Sequence, residues 1–385
     1  MKSFSIDVDQ INRVIGSAIA DELARSFNRF FDFLAIASWT GETALGEGGL
    51  DMDDAERAAC WKRCAAFFGS DDTVTMPSGA SIIGDWGDAL LATVCAKLTS
   101  FQFKAAARED DIENTFRNAD EVYQHAAAAA NLLNGRRRLI SFVAPHSLIG
   151  FILAVLTPNL QRIDSIDARG QTPEALQSLL AYGDVVIATP TLWRYLMQEK
   201  VQAPDNAMAV TFGEAMTPEL ATDMRHAGFS VLRELYGSTE TGLVGWRDSA
   251  SDAFTLFDHW QQDGDDIRLL VHQDSAPPAV RLMDYFDWID ERRFRLSGRR
   301  DGAVQIGAVN VLPIDVARRL SEHSMIKLCD VRVGERRDGV NSLIAHIVLR
   351  DEQLPTDAVA REIDAWCREH LRHYERPRIY RFEAE

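Results

Sequence analysis

Between residues 138 and 235 the sequence alternates, four times over, a short apolar run with an amphipathic stretch. The runs at 138–144 (RLISFVA), 162–167, 184–188 (DVVIA) and 207–212 (AMAVTF) read as strands. Helical patterns follow each one: 147–156, 173–181 with Pro173 at its start, TPTLWRYLMQE from Thr189, and TPELATDMRHAG from Thr217, closed by Gly228. Strands that are apolar along their whole length are those buried on both faces. Alternated with helices, they predict an α/β fold with a parallel sheet covered on both sides. Few other architectures accept such a run, so this stretch fixes the fold class.

A fifth strand, 230–235, leads into LYGSTETG, residues 235–242. Glycine lets backbone approach a ligand closely, backbone N–H groups and hydroxyls can hold a phosphate, and a lone carboxylate beside them can hold a metal that neutralises it. An isolated Gly-Ser-Thr turn is more often only the polar end of a strand. Ligands of parallel sheets, however, bind beyond the carboxyl ends of the strands, and there lie residues 236–242, Gly213 and Thr189.

A chain of 385 residues has room for two or three domains. A net charge of −17 argues against nonspecific nucleic-acid binding. No run of 18 or more apolar residues exists to span a membrane, and MKSFSIDVDQ at the start has no secretory core. Cys60, Cys64, Cys95, Cys329 and Cys367 form no paired metal spacing and read as reduced thiols. A cytoplasmic protein is expected.

The first 98 residues predict a small helical bundle. Val8, Ile11, Ile15, Ile19 and Leu23 recur at helical spacing after a cap at Asp7 or Asp9. DMDDAERAACWKRCAAFFG starts a second helix with acids, and a last helix covers 82–98. The segment 99–121, TSFQFKAAAREDDIENTFRNADE, has no glycine. Its acids Glu109, Asp110, Asp111, Glu113, Asp120 and Glu121 suit a solvated helix face, on which Lys104, Arg108 and Arg117 also fall. Past the core, RRFRLSGR alternates as a strand. Residues 302–385 read as strand, helix, strand, strand, helix, strand, a small α+β domain.

The strings ATPTLWRYL, TFGEAMTPEL and LYGSTETGLVGWR resemble consecutive signatures of the adenylate-forming (AMP-binding) ligases. The family most similar is the short 4-coumarate–CoA ligase-like one associated with photoactive yellow protein and bacterial aryl-pigment clusters. The resemblance covers roughly 130–380. It implies three regions: an N-terminal helical region at 1–98, an AMP-binding α/β core at 99–300 and a C-terminal lid at 301–385. It implies activation of an aryl, hydroxycinnamate-type carboxylate by ATP with Mg²⁺, then transfer to CoA or a carrier thiol. By the same resemblance Gly213 and Glu214 lie near the adenine, Tyr236 stacks on it or lines the acyl pocket, Gly237 and Ser238 belong to the AMP site, and Thr239 contacts the α-phosphate. Glu240 would hold Mg²⁺, Asp284 (with Asp287 second) the ribose, Arg299 ribose or phosphate, and Asp301 the hinge. FVAPHSLIGF resembles the family's Pro-His-His-Ile-Tyr-Gly stretch, which puts His146 and Ser147, with Gly242, at the acyl pocket.

Four departures stand against that pattern. An acidic, glycine-free stretch occupies the place of the phosphate loop at 99–121. Ser147 replaces the second histidine, and Ala308 replaces a glycine of the thiol tunnel. The sequence reaches Glu385, after RIYRFEAE, without the Gly-Lys pair that carries the lid lysine. A faint likeness to acyl carrier proteins around GGLDMDDAER puts Asp54 where a carrier has its serine, and aspartate cannot carry that ester. Three readings stay open: an acid–CoA ligase, a degenerate homologue that binds AMP, an acyl-adenylate or a partner protein without turnover, and a partial enzyme that performs only the thioester half-reaction on a supplied adenylate.

Overall fold

The computed structural model describes residues 6–70, 74–93, 98–104, 114–270, 280–306, 309–335, 341–350 and 356–383. It begins with helices whose ends are set by local chemistry. Asp7 caps α1 (Val8–Phe27), accepting from the Gln10 amide at 2.8 Å. Ile11, Ile15, Ile19 and Leu23 form its buried stripe, and Asn28 ends it in the left-handed conformation at φ 54°. After α2 (Phe33–Ser38), α3 (Asp54–Phe67) opens on a capping box, in which Asp53 and Glu56 each accept the other's backbone N–H. Next comes α4 (Ile83–Thr93).

The segment 99–121 departs from the helical expectation. Its described residues form a hairpin, β1 (Ser100–Lys104) against β2 (Asn114–Asn118), with Ser100 opposite Asn118 and Lys104 opposite Asn114. The reason is apolar. Phe101 and Phe103, two apart, are fully buried and join Phe67, Phe68 and Phe151 in an edge-to-face cluster, with Phe101 and Phe151 centroids 4.8 Å apart. Residues 105–113, which include Arg108 and four of the acids, lie outside the described residues.

The alternating core follows its expected order. After α5 (Ala119–Leu132) come β3 (Arg138–Ser141), α6 (Leu148–Gly150), a π-helical stretch Phe151–Leu156, α7 (Thr157–Gln161), β4 (Asp164–Asp167) and α8 (Pro173–Leu179). Then come β5 (Asp184–Ala188), α9 (Pro190–Gln198), β6 (Met208–Phe212), α10 (Pro218–His226), β7 (Val231–Ser238), β8 (Gly242–Arg247) and β9 (Phe254–Leu256). The expected single helix at 147–156 is α6 and the π-helical stretch, which run on into α7 as three consecutive pieces. The middle one makes wide turns, the Thr157 amide reaching Ile152 O, and all six of its side chains are buried. These strands lie in the order β9-β8-β7-β6-β5-β3-β4. From β4 to β7 neighbouring strands run parallel, and β8 and β9 turn antiparallel. Every residue of β5 is buried, as a two-sided cover requires. On one face Ile140, Val186, Trp193, Leu196, Met224 and Phe229 share a core.

The chain divides into two compact units, residues 1–263 with 267–280, and 264–266 with 281–385. The first contains the helical start and the sheet just described, and ends in β10 (Trp260–Asp263) and β11 (Asp266–Leu269). The second contains the hairpin β12 (Asp284–Trp288) and β13 (Arg293–Arg299), then β14 (Val304–Ile306), β15 (Val309–Val311) and α11 (Pro313–Leu320). It closes with β16 (Ile326–Glu335), β17 (Asn341–Leu349), α12 (Asp357–His370) and β18 (Ile379–Phe382), whose strands lie in the order β16-β17-β18. Among the described residues no helix is long and apolar enough to cross a membrane.

Candidate functional site

Register brings three strand ends together. Ala188 at the end of β5 lies opposite Thr211 of β6, and Phe212 at the end of β6 lies opposite Leu235 of β7. The segments that follow, from Thr189, Gly213 and Tyr236, therefore leave the same edge of the sheet. Thr189 caps α9 and Thr217 caps α10, each with its hydroxyl. Gly213 has φ 86°, and nothing lies within 4 Å of where a Cβ would stand. Glu214 accepts from the Thr191 hydroxyl at 2.8 Å and lies 3.5 Å from Arg194.

LYGSTETG is a hairpin end. Strand β7 runs on to Ser238, the turn is Thr239-Glu240-Thr241, and Gly242 starts β8 opposite Ser238. A bulge falls between Tyr236 and Gly237. The hydroxyls of Ser238 and Thr241 lie 3.1 Å apart and close the turn, with Thr241 N–H donating to Ser238 Oγ at 3.2 Å. That leaves Thr239 and Glu240 at its tip, with Glu240 exposed. Both glycines are required. A Cβ on Gly237 would collide with the Gly242 carbonyl oxygen, and one on Gly242, which has φ 69°, would collide with the ring of His125. Tyr236 is half-buried, its ring 5.7 Å from that of Phe254.

Three buried braces that local sequence does not reveal hold this edge. Arg117 of β2 donates to the carbonyl oxygens of Glu240 and, at 3.1 Å, Thr241, and it pairs with Glu121 of α5. Below, His125 packs edge-on to His259, centroids 4.5 Å apart, while His259 and Trp260 both reach Leu243 O. Burial pulls the His125 pKa down and keeps the ring neutral. On the other side Glu234 accepts from Met216 N–H at 3.1 Å and from Arg247 at 2.8 Å, tying the Gly213–Met216 loop to β8. Burial raises the Glu234 pKa against the pull of Arg247. The only sequence signal for these braces is polar residues with no place on an apolar face.

His146 and Ser147 are occupied otherwise. His146 Nδ1 lies 2.7 Å from Ser17 Oγ of α1, and burial brings its pKa down to about 4 against the pull of Asp21. Ser147 caps α6, accepting from Gly150 N–H at 3.0 Å and donating to Ala144 O at 2.8 Å. Lys104 pairs with Glu22 at 2.7 Å.

In the second unit Asp284 lies opposite Arg299 across the β12–β13 hairpin, 4.0 Å apart at the charges. Arg299 makes a two-pronged pair with Asp301 at 2.7 and 2.9 Å, and this bond holds the Asp301 carboxyl below its usual range. Asp287 accepts from the Ser297 hydroxyl at 3.1 Å. Ala308 and Gly307 lie outside the described residues.

A 4-coumarate–CoA ligase of Halorhodospira halophila is 28% identical over 385 residues, covering 99% of this chain and 97% of that protein. One from Cereibacter sphaeroides is 25% identical and covers 89% of this chain and 82% of its own. No family model matches. The amide bond synthetase McbA of Marinactinospora thermotolerans superposes with a TM-score of 0.59 at 14% identity, over 97% of this chain and 90% of that one. A malonyl-CoA ligase complex with methylmalonyl-CoA and AMP does so at 0.56 and 16% identity, over 73% and 70%. The chain has the fold of the adenylate-forming ligases and is similar over nearly its whole length to proteins named 4-coumarate–CoA ligase. In this AMP-binding ligase fold the alternating core, with its mixed sheet, is the part that carries the signature turn.

Proposed function

We propose that the chain is an acid–thiol ligase. It would join an aryl carboxylate of the hydroxycinnamate type to AMP and then pass the acyl group to CoA or a carrier thiol. The observation that carries this reading is the braced turn 236–242, with Thr239 and Glu240 at its tip, beside Gly213 and Glu214 on the same sheet edge. Thr239 would meet the α-phosphate and Tyr236 and Gly213 the adenine. In the second unit Asp284 would take the ribose hydroxyls and Arg299 ribose or phosphate, with Asp301 as hinge. His146, Ser147 and Gly242 would border the acyl pocket. There Ser147 and His146 would act through shape, because the Ser147 hydroxyl caps a helix and Ser17 occupies the His146 Nδ1.

The donor set fits Mg²⁺ delivered with the nucleotide, because one exposed carboxylate, Glu240, can add to the phosphate oxygens that dominate such a site. Bound there, the cation would neutralise phosphate charge. The chain's own residues hold the α-phosphate in line with the carboxylate and hold the turn rigid while charge develops. A CoA thiol needs little activation.

A second reading, a nucleotide-binding homologue without turnover, has its own support. Both described cations of the β1–β2 hairpin are neutralised, Lys104 by Glu22 and Arg117 by Glu121, so neither is presented to a triphosphate. ATP–pyrophosphate exchange over a panel of aryl acids separates the two. Acid-dependent exchange above background supports the ligase. No exchange, together with calorimetric binding of a non-hydrolysable acyl-adenylate analogue, supports the binder.

A further inference from the structure

We infer that Arg117 is the positioning residue of the nucleotide turn, with Glu121 as its anchor. This rests on the reading of 236–242 as the nucleotide edge. The turn needs such a device. Its carbonyls at Glu240 and Thr241 lie beyond the last strand pair, Ser238 opposite Gly242, so the β ladder does not satisfy them. Within the turn, the Ser238 and Thr241 hydroxyls bond each other, the N–H groups of these two residues and the Gly242 carbonyl, which leaves the Glu240 and Thr241 carbonyls to another donor. A guanidinium, planar and forked, can take two adjacent carbonyls and a carboxylate at once, where an ammonium cannot hold the same plane. Arg117 does this from a site only 6% exposed.

Burial and charge separate positioning from ligand binding. Glu121 cancels the Arg117 charge in place, and both terminal nitrogens of the fork donate to protein oxygens. The pair therefore offers no net charge to a phosphate. It offers geometry: residues more than 120 apart in sequence fix the backbone beneath Thr239 and Glu240. Because Arg117 is the penultimate residue of β2, two residues before α5 starts, any displacement of the β1–β2 hairpin moves the turn with it.

The test compares Arg117→Lys, Glu121→Gln and, as a control, Arg138→Lys, a half-buried structural arginine paired with buried Asp184. Two readouts are taken on the full chain: AMP affinity by calorimetry, and hydrogen exchange of the peptide spanning 234–245. Arg117→Lys is expected to weaken AMP binding tenfold or more and to speed exchange of the turn amides at least tenfold, with Tm within a few degrees of wild type. Glu121→Gln should do both to a smaller extent, and Arg138→Lys should do neither. Unchanged turn exchange in Arg117→Lys overturns the inference, as does faster exchange with AMP affinity held within twofold. If Arg117→Lys does not fold, Glu121→Gln decides by the same criteria. If wild type binds no AMP yet Arg117→Lys loosens the turn, the nucleotide reading fails and the brace stands.

Discussion

Gly242 sits at φ 69° with the His125 ring directly behind it. Gly242→Ala meets both a strained backbone and a collision that neither rigid neighbour can relieve. It should cost about 1–3 kcal/mol from the dihedral alone, more with the clash, read as a lower urea midpoint at unchanged slope. Glu240→Gln keeps the shape of the tip and removes its charge. It should leave the urea midpoint within about 0.5 kcal/mol, as exposed substitutions do, while cutting acid-dependent pyrophosphate exchange by about 10²-fold or more. Exchange at wild-type level would sink the metal role given to Glu240. At this scale the sequence is legible where chemistry is local. The two glycines and the Thr-Glu tip could be read directly. Arg117 could not, because the carbonyls it holds lie in a turn more than 120 residues away.

Elements were legible in proportion to their period. Strands β5 and β6 are short unbroken apolar runs between helices, and each appears within a residue of its reading. The β1–β2 hairpin was hidden by the acids at 109–113, which outweighed the two-residue spacing of Phe101 and Phe103. The aromatic cluster decides the matter energetically, since each fully buried Phe contributes about 1.5–3 kcal/mol. Truncation of its centre, Phe67→Ala, should destabilise by about 3–5 kcal/mol, measured by denaturant unfolding. A loss under 1 kcal/mol would show that the hairpin does not depend on that packing. The α3 cap gives a smaller test. Asp53→Ala removes one half of the capping box and should cost about 1 kcal/mol.

For the whole molecule, pH provides a measure of what α1 buries against the core. The folded pKa of His146, about 4, lies below the ordinary 6.5. The unfolded chain therefore takes up the proton first as pH falls. Stability from this group is full above 6.5, declines between 6.5 and about 4, and levels off below that, a total of about 3 kcal/mol. Buried His125 adds a loss of the same sign. His146→Gln should flatten urea-derived stability across pH 4–6.5 by up to one proton's worth of slope. An unaltered slope would mean that the ring is solvated. The architecture followed from the sequence because a βα alternation admits few arrangements.

The π-helical stretch Phe151–Leu156 has a consequence of another kind. Its hydrogen bonds span five residues where an α-helix spans four, so the chain carries surplus length at this point. Surplus length is a place where phase can be reset. Deleting one residue here would let the segment rewind as ordinary helix and rejoin α7 in its original orientation. The same deletion in α1 would rotate every later side chain by about 100°. The π-helical stretch is thus a site at which the length of the chain can change by a single residue without turning the elements on either side.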